Sequence, residues 1–159
     1  MKILGIDSSG LVAGVAVVED DVLLAEYNVN YKKTHSQTLL PMLDVVREMI
    51  ELNLNSVDAI AIASGPGSFT GLRIGSATAK GLGLALDKPL VEVPTLEGLA
   101  YNIPTFDGLV CSMLDAKNNN VYAALYRFGD TPKMIGDYYT DAIDTFINKL
   151  KEYLIIDII

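Results

Sequence analysis

The order in which apolar segments of two different periods follow one another constrains this chain more than any single motif. Residues 2–6 are a short apolar run ending in the turn cluster Asp7-Ser8-Ser9-Gly10. Residues 12–18 form a valine-rich second run and residues 22–29 a third. Glu19-Asp20-Asp21 leaves room only for a tight turn, and connections this short join antiparallel neighbours. From Ser36 to about Leu52 the period changes, because Leu39, Leu40, Leu43, Val46, Met49 and Ile50 recur at helical spacing. Thr34 and Ser36 both suit the N-cap of that helix, and Pro41 fits only in or near its first turn. Residues 57–63 are apolar apart from Asp58, the pattern of a strand buried on both faces. A helix over 70–86 stopped by Lys88-Pro89, a strand over 90–93 and a short helix over 95–101 capped by Thr95 complete a β-β-β-α-β-α-β-α order.

A comparable order then begins again. Residues 109–114 predict a strand ending in Asp115, Asn118-Asn119-Asn120 a turn, and residues 121–128 and 134–139 two more strands. A helix over 141–153 follows, with Asp141 as N-cap and Asp144 at N3, near the positive end of the helix dipole. Residues 154–159 read as the next strand. The sequence itself does not repeat; only the order of elements does. A doubled β-β-β-α-β-α order is the plan of the actin-like ATPase (ribonuclease H-like) fold, in the α/β class. It divides the chain into an N-terminal lobe over 1–103 and a partial C-terminal lobe over 104–159. A last strand of Ile155-Ile156-Asp157-Ile158-Ile159 would leave apolar strand surface uncovered, so the second lobe is expected to be incomplete.

Composition narrows the classes of function. A chain of 159 residues is one compact domain or two small lobes. Twelve basic against twenty acidic residues give a net charge of −8, which argues against a free-standing nucleic-acid binder. One cysteine, Cys111, excludes an internal disulfide framework and suits a reducing compartment. Its place inside an apolar strand predicts a buried, inert thiol. No apolar run approaches the ~20 residues of a membrane helix, and residues 3–6 are too short for a signal peptide. The expected protein is soluble and cytoplasmic.

Gly65-Pro66-Gly67-Ser68-Phe69-Thr70-Gly71-Leu72-Arg73 leaves a buried strand and opens a helix. Such a junction points N–H groups and the positive end of a helix dipole outward, so it suits an anion; a plain tight turn explains it equally well. It lacks the Gly-Lys-Ser/Thr ending of a Walker A loop, and Thr70 stands at the third glycine of GxGxxG. Gly71, Gly75, Ala79 and Gly83 then follow at four-residue spacing, a shallow groove along one helix face. Each interior glycine costs about 1 kcal/mol against alanine, so a close neighbour must compensate. Spacing alone favours the chain's own sheet or first helix as that neighbour; a second subunit is the alternative. Asp7 and Asp115 end the first strand of each copy, where an actin-like fold embraces nucleotide phosphates. The turn after Asp115 has no glycine for close phosphate approach. Asp7, Ser8 and Ser9 are therefore expected to form a vestigial phosphate turn, with no resident cofactor and at most weak nucleotide binding. His35, the single histidine, gives neither a metal site nor a Ser–His–Asp set.

Several segments together resemble the TsaB family, formerly called YeaZ. They are Ile3-Leu4-Gly5-Ile6-Asp7-Ser8-Ser9, His35-Ser36-Gln37 with Leu39-Leu40-Pro41, the Gly65–Gly75 stretch, Ala77-Thr78-Ala79-Lys80-Gly81-Leu82, and Leu114-Asp115-Ala116 with Val121-Tyr122. The resemblance runs in order from residue 1 to about 126. It implies a subunit of the machinery that makes N6-threonylcarbamoyladenosine beside the anticodon of tRNA. In that pathway TsaC makes threonylcarbamoyl-adenylate, TsaD transfers the threonylcarbamoyl group and TsaE is an ATPase partner. It implies further a non-catalytic, metal-free scaffold that docks TsaD, works with TsaE, reaches tRNA only through the complex and homodimerises alone. TsaD-like proteins carry an HxxxH metal motif, where here His35 stands by itself. Family pairing through N-lobe helices moves the groove reading to a partner interface of Gly71, Leu72, Arg73, Gly75, Ala79 and Gly83. The alternatives are an ATP-using actin-like transferase or kinase and, remotely, a metalloprotease, after an older glycoprotease label of these proteins.

Overall fold

The computed structural model describes residues 1–31 and 35–156, the last five as backbone. It divides into two compact units, Met1–Thr95 and a second from Leu96 onward.

In the first unit the chain runs β1 (Lys2–Asp7), β2 (Ala13–Glu19), β3 (Val22–Val29), α1 (His35–Met49), a 3-10 turn (Leu54–Ser56), β4 (Ala59–Gly65), α2 (Phe69–Leu86) and β5 (Leu90–Pro94). The sheet order is β3-β2-β1-β4-β5. β1 pairs antiparallel with β2 and parallel with β4, and β4 pairs parallel with β5. That order, with α1 and α2 as crossovers, is the expected actin-like lobe. Asp20 and Asp21 both adopt positive φ (47° and 68°), which matches the twist of a two-residue hairpin turn. Alternation along the strands sends Leu4, Ile6, Val15, Val17, Ile60 and Ile62 to one face, against Leu39, Met42, Leu43 and Val46 of α1 and Ala79 of α2.

α1 begins at His35, so Ser36 lies inside the helix and is not its cap; Thr34 lies outside the described residues. Pro41 stands in the second turn rather than the first. Its missing N–H frees the Gln37 carbonyl, and both residues are exposed, so that carbonyl can be hydrated. β4 starts at Ala59, later than its apolar run, because Asn53 accepts a hydrogen bond from the Asn55 N–H (3.0 Å) and caps the 3-10 turn ahead of it.

The second unit holds α3 (Thr95–Ala100), β6 (Leu109–Lys117), β7 (Asn120–Phe128), β8 (Pro132–Ala142) and α4 (Ile143–Ile156). Its sheet, β6-β7-β8, is antiparallel throughout. The central strand β7 is buried on both faces. Ala124 and Tyr126 join Val110, Leu96 and Ala100 on one side. Val121, Ala123 and Leu125 join Phe146 of α4 on the other.

Three expectations fail here. Residues 154–156 continue α4 instead of forming a strand; residues 157–159 lie outside the described ones. The helical signal was present, since apolar residues recur at 143, 146, 150 and 154. Asp141 lies within β8 and pairs with Lys149 Nζ at 2.5 Å, so it does not cap α4, and Asp144 stands one position nearer the helix start than N3. Cys111 is exposed rather than buried. Partial desolvation still pushes its thiol pKa up. No helix among the described residues is long and apolar enough to cross a membrane.

Phe146 is fully buried and its ring lies 5.1 Å from that of Tyr139. Phe146→Ala is expected to cost about 3–5 kcal/mol, because the void opens between α4 and both neighbouring strands. Urea unfolding measures it; a loss under about 1 kcal/mol would contradict this packing.

Candidate functional site at the start of the second helix

The junction between β4 and α2 is built from hydrogen bonds that all close within the chain. Gly65 takes φ +109°, a conformation L side chains rarely adopt, and its N–H donates to Thr95 Oγ1 at 3.2 Å. Ser68 is the N-cap of α2: its Oγ accepts from the Gly71 N–H at 3.2 Å. The Ser68 N–H donates to the Ser9 carbonyl at 2.6 Å. One residue earlier in the β1–β2 turn, Ser8 donates its hydroxyl to the Gly71 carbonyl at 2.8 Å and is 1% exposed. Asp7 Oδ1 accepts from the Ser9 N–H at 2.7 Å, and the Gly10 carbonyl lies 3.0 Å from His35 Nε2, which therefore carries the proton. The turn after β1 is thus tied to the first turns of α1 and α2.

The glycines follow from that closeness. A Cβ on Gly67 would strike the Ser9 carbonyl oxygen, one on Gly71 the Ser8 carbonyl oxygen, and one on Gly75 the Ser8 hydroxyl and Ile62 Cδ1. At Gly83 it would meet Leu90 Cδ2 at 3.0 Å and the Lys88 carbonyl at 3.1 Å. All four groove residues, Gly71, Gly75, Ala79 and Gly83, are buried. Their expected role as a partner surface does not hold: the face is filled by the chain's own β1–β2 turn, β4 and β5. Of the N–H groups at this junction, those of Ser68 and Gly71 already have acceptors within the chain.

Asp115 repeats the behaviour of Asp7. Its Oδ1 accepts from the Lys117 N–H at 2.7 Å, and Oδ2 pairs with Lys117 Nζ at 3.1 Å. The Lys117 N–H first, then its ammonium, hold the Asp115 carboxyl below the usual range. Each aspartate caps its own turn two residues on. Among the described residues no group of three or more His, Cys, Asp and Glu could hold a metal.

The opposite face of α2 is open. Phe69 is 67% and Leu84 88% exposed, and Arg73, Ala77 and Lys80 lie between them on the same side. Arg73 stacks on the Phe69 ring, 3.8 Å from its centroid. Phe69, Leu72, Arg73, Ser76, Ala77 and Lys80 line a shallow hollow of about 390 Å³. Arg73 and Lys80 are the two charged side chains of α2, both positive, in a chain of net charge −8. α1 packs beside α2 and exposes Leu40, Val45 and Met49 along with Asp44 and Glu48. Sequence periodicity carried this signal: Phe69, Arg73, Ala77, Lys80 and Leu84 recur at helical spacing.

The family model for TsaD, tRNA N6-adenosine threonylcarbamoyltransferase, matches residues 23–156. The tRNA threonylcarbamoyladenosine biosynthesis protein TsaB of Buchnera aphidicola subsp. Schizaphis graminum is 37% identical over 152 residues, 94% of this chain and 71% of the relative. The chain belongs to the TsaB family. The protein of the same name from Bacillus subtilis is 39% identical over 128 residues, 80% of this chain and 56% of the relative. The chain thus spans little more than half the length of that relative. The solved structure of YeaZ from Pseudomonas aeruginosa superposes with a TM-score of 0.81 at 30% identity, over 89% of this chain and 67% of that one.

Two glycine substitutions separate the buried and open faces of α2. Gly81 has open space where a Cβ would stand, so Gly81→Ala is expected to stabilise by up to about 1 kcal/mol through helix propensity. Gly71→Ala gains the same propensity but drives into the Ser8 carbonyl, and is expected to destabilise by about 1–3 kcal/mol. Equal effects of the two in urea unfolding would contradict the buried face.

Proposed function

We propose that this chain is a non-catalytic cytoplasmic subunit in the formation of threonylcarbamoyladenosine in tRNA, and that it acts by docking the TsaD transferase. Membership of the TsaB family carries the proposal, since the relatives bear the name of that biosynthesis. The chemistry of the junction supports the non-catalytic part. His35, which would have to serve as a metal ligand or base, donates to the Gly10 carbonyl. The turn that would cradle phosphate is bonded to α2 through Ser8 and Ser9. An acidic chain has little attraction for a polyanion, which supports contact with tRNA only through the complex, with TsaE as a further member.

The outer surface of α1 and α2 supports the docking part. It joins exposed apolar side chains, Leu84, Phe69 and Met49, to a basic α2 and an acidic flank on α1. Such a surface suits another two-helix face with the opposite arrangement of charge. Leu72 and Arg73 remain at this interface; Gly71, Gly75, Ala79 and Gly83 support it from beneath by setting where α2 lies. A second copy of the chain can meet the same face when the transferase is absent.

Leu84→Asp is expected to weaken co-elution with the cognate TsaD at least tenfold while leaving the thermal midpoint within a few degrees, because Leu84 touches little within its own chain. Unchanged binding would remove α2 from the docking surface. Calorimetry with ATP is expected to give no Kd tighter than ~1 μM, about 8 kcal/mol of binding; tighter binding would mean that the turn opens to phosphate.

A further inference from the structure

Lys2, Arg47, Lys117 and Lys149 each pair with a carboxylate of their own chain. Arg73 and Lys80 have no such partner among the described residues, although the chain holds twenty acidic residues. α2 carries no acidic residue in its first turn and no basic one in its last, so these two cations do not serve the helix dipole either. Both face one hollow of about 390 Å³, with Ser76 and Ala77 between them. Arg73 is also held in place. It follows Phe69 by four residues, and its guanidinium stacks on that ring, 3.8 Å from the centroid. A guanidinium's N–H donors lie in its plane, so a ring on its face leaves them free. None of them has an acceptor among the described residues.

We propose that one carboxylate of the TsaD surface enters this hollow and is bound by Arg73 through two parallel N–H···O bonds, with Lys80 as a second cation beside it. The proposal rests on the reading that TsaD docks the α1–α2 face. An arginine fork matches a carboxylate bidentately, and stacking on Phe69 removes much of the freedom that the side chain would otherwise lose on binding. Phe69 lines the hollow and Leu84 stands one turn beyond Lys80, both largely exposed. A docked partner would strip that apolar surface of water, and an ion pair strengthens in such surroundings. The carboxylates on the same face are already engaged: Arg47 holds Asp44 and Glu48 of α1 at 3.6 and 3.8 Å. A second copy would bring the same two, which favours a different protein as the source. A phosphate of tRNA also carries negative charge, but a polyanion that approaches these two cations must approach a chain of net charge −8.

The test measures binding of the whole chain to TsaD by calorimetry, with thermal midpoints as the check on folding. Arg73→Gln is expected to weaken binding about 30-fold or more, as loss of one partner of a desolvated charge pair does. Its midpoint is expected to stay unchanged, because Arg73 is exposed. Arg73→Lys is expected to restore little, since an ammonium neither forks nor lies flat on a ring. Lys133→Gln removes an exposed cation of the second unit and is expected to bind as the unchanged chain does; a loss equal to that of Arg73→Gln would mean net charge alone and overturn the proposal. Charge exchange finds the partner carboxylate. Arg73→Glu is expected not to bind TsaD, and among TsaD variants with each exposed Asp or Glu changed in turn to Arg, one is expected to restore binding. A full set with none that restores it overturns the proposal. Leu84→Asp separates the two claims. If it loses binding while Arg73→Gln or Arg73→Lys keeps it, the carboxylate is overturned and the docking face stands. If Leu84→Asp binds normally, the face falls and the proposal with it. An Arg73→Gln chain that binds TsaD normally but lowers retention of tRNA by the complex assigns the hollow to phosphate, which also overturns the proposal.

Discussion

The hydrogen bond from Ser8 to the Gly71 carbonyl is the contact on which the first unit turns. It is possible only because α2 lies against the β1–β2 turn with no side chain between them, at Gly67, Gly71 and Gly75 alike. One such bond contributes about 1 kcal/mol net, but leaving either buried group unpaired would cost about 1–3 kcal/mol. The glycines therefore act through position. They let the helix approach until the turn's polar groups have partners, and their poor helix propensity is offset by that satisfaction. The same approach brings Ala79 into the core beside α1's side chains and sets Gly83 on Leu90 of β5.

Two functional consequences follow from that approach. An actin-like lobe that holds nucleotide needs its first turn free to wrap phosphate, and here Ser9 and Ser8 are bonded to α2 instead. The face of α2 that looks outward is then fixed by the face that looks inward. With Gly71, Gly75, Ala79 and Gly83 beneath, Phe69, Arg73, Ala77, Lys80 and Leu84 must stand on the surface. A partner that docks there reads a surface whose position is set by glycines it never touches. A stretch as unusual as Gly65–Gly75 thus has a structural reason, the close approach of α2 to the β1–β2 turn, that does not require it to do chemistry.

Much of the first unit was legible because its signals are local. Alternation gave β1 and β2, helical spacing gave α1 and α2, and their order gave the lobe. Ser68 as a cap and Asp87, which ends α2 in a left-handed conformation, were missed, since a cap reads only against a known boundary. The four-residue stripe showed that something lies close to α2 but not what, because sequence carries no record of which surface fills a groove. Spacing favoured the chain's own sheet, and the family's use of N-lobe helices moved the assignment to a partner, whereas the stripe is filled from within the chain. In the second unit the failures were at ends: residues 154–156 are apolar enough for a strand, yet they extend the helical period begun at Ile143. Cys111 misled because an apolar strand at a sheet edge is exposed where the same strand at the centre is buried.

The proposed role as an accessory subunit is tested most directly by omission in a reconstituted tRNA-modification assay, with the initial rate of threonylcarbamoyl transfer as readout. The account predicts no transfer by this chain without TsaD, and a rate with TsaD that rises on adding the chain and saturates at equal amounts of the two. Transfer by this chain with TsaD left out, at a rate matching the full set, would contradict it.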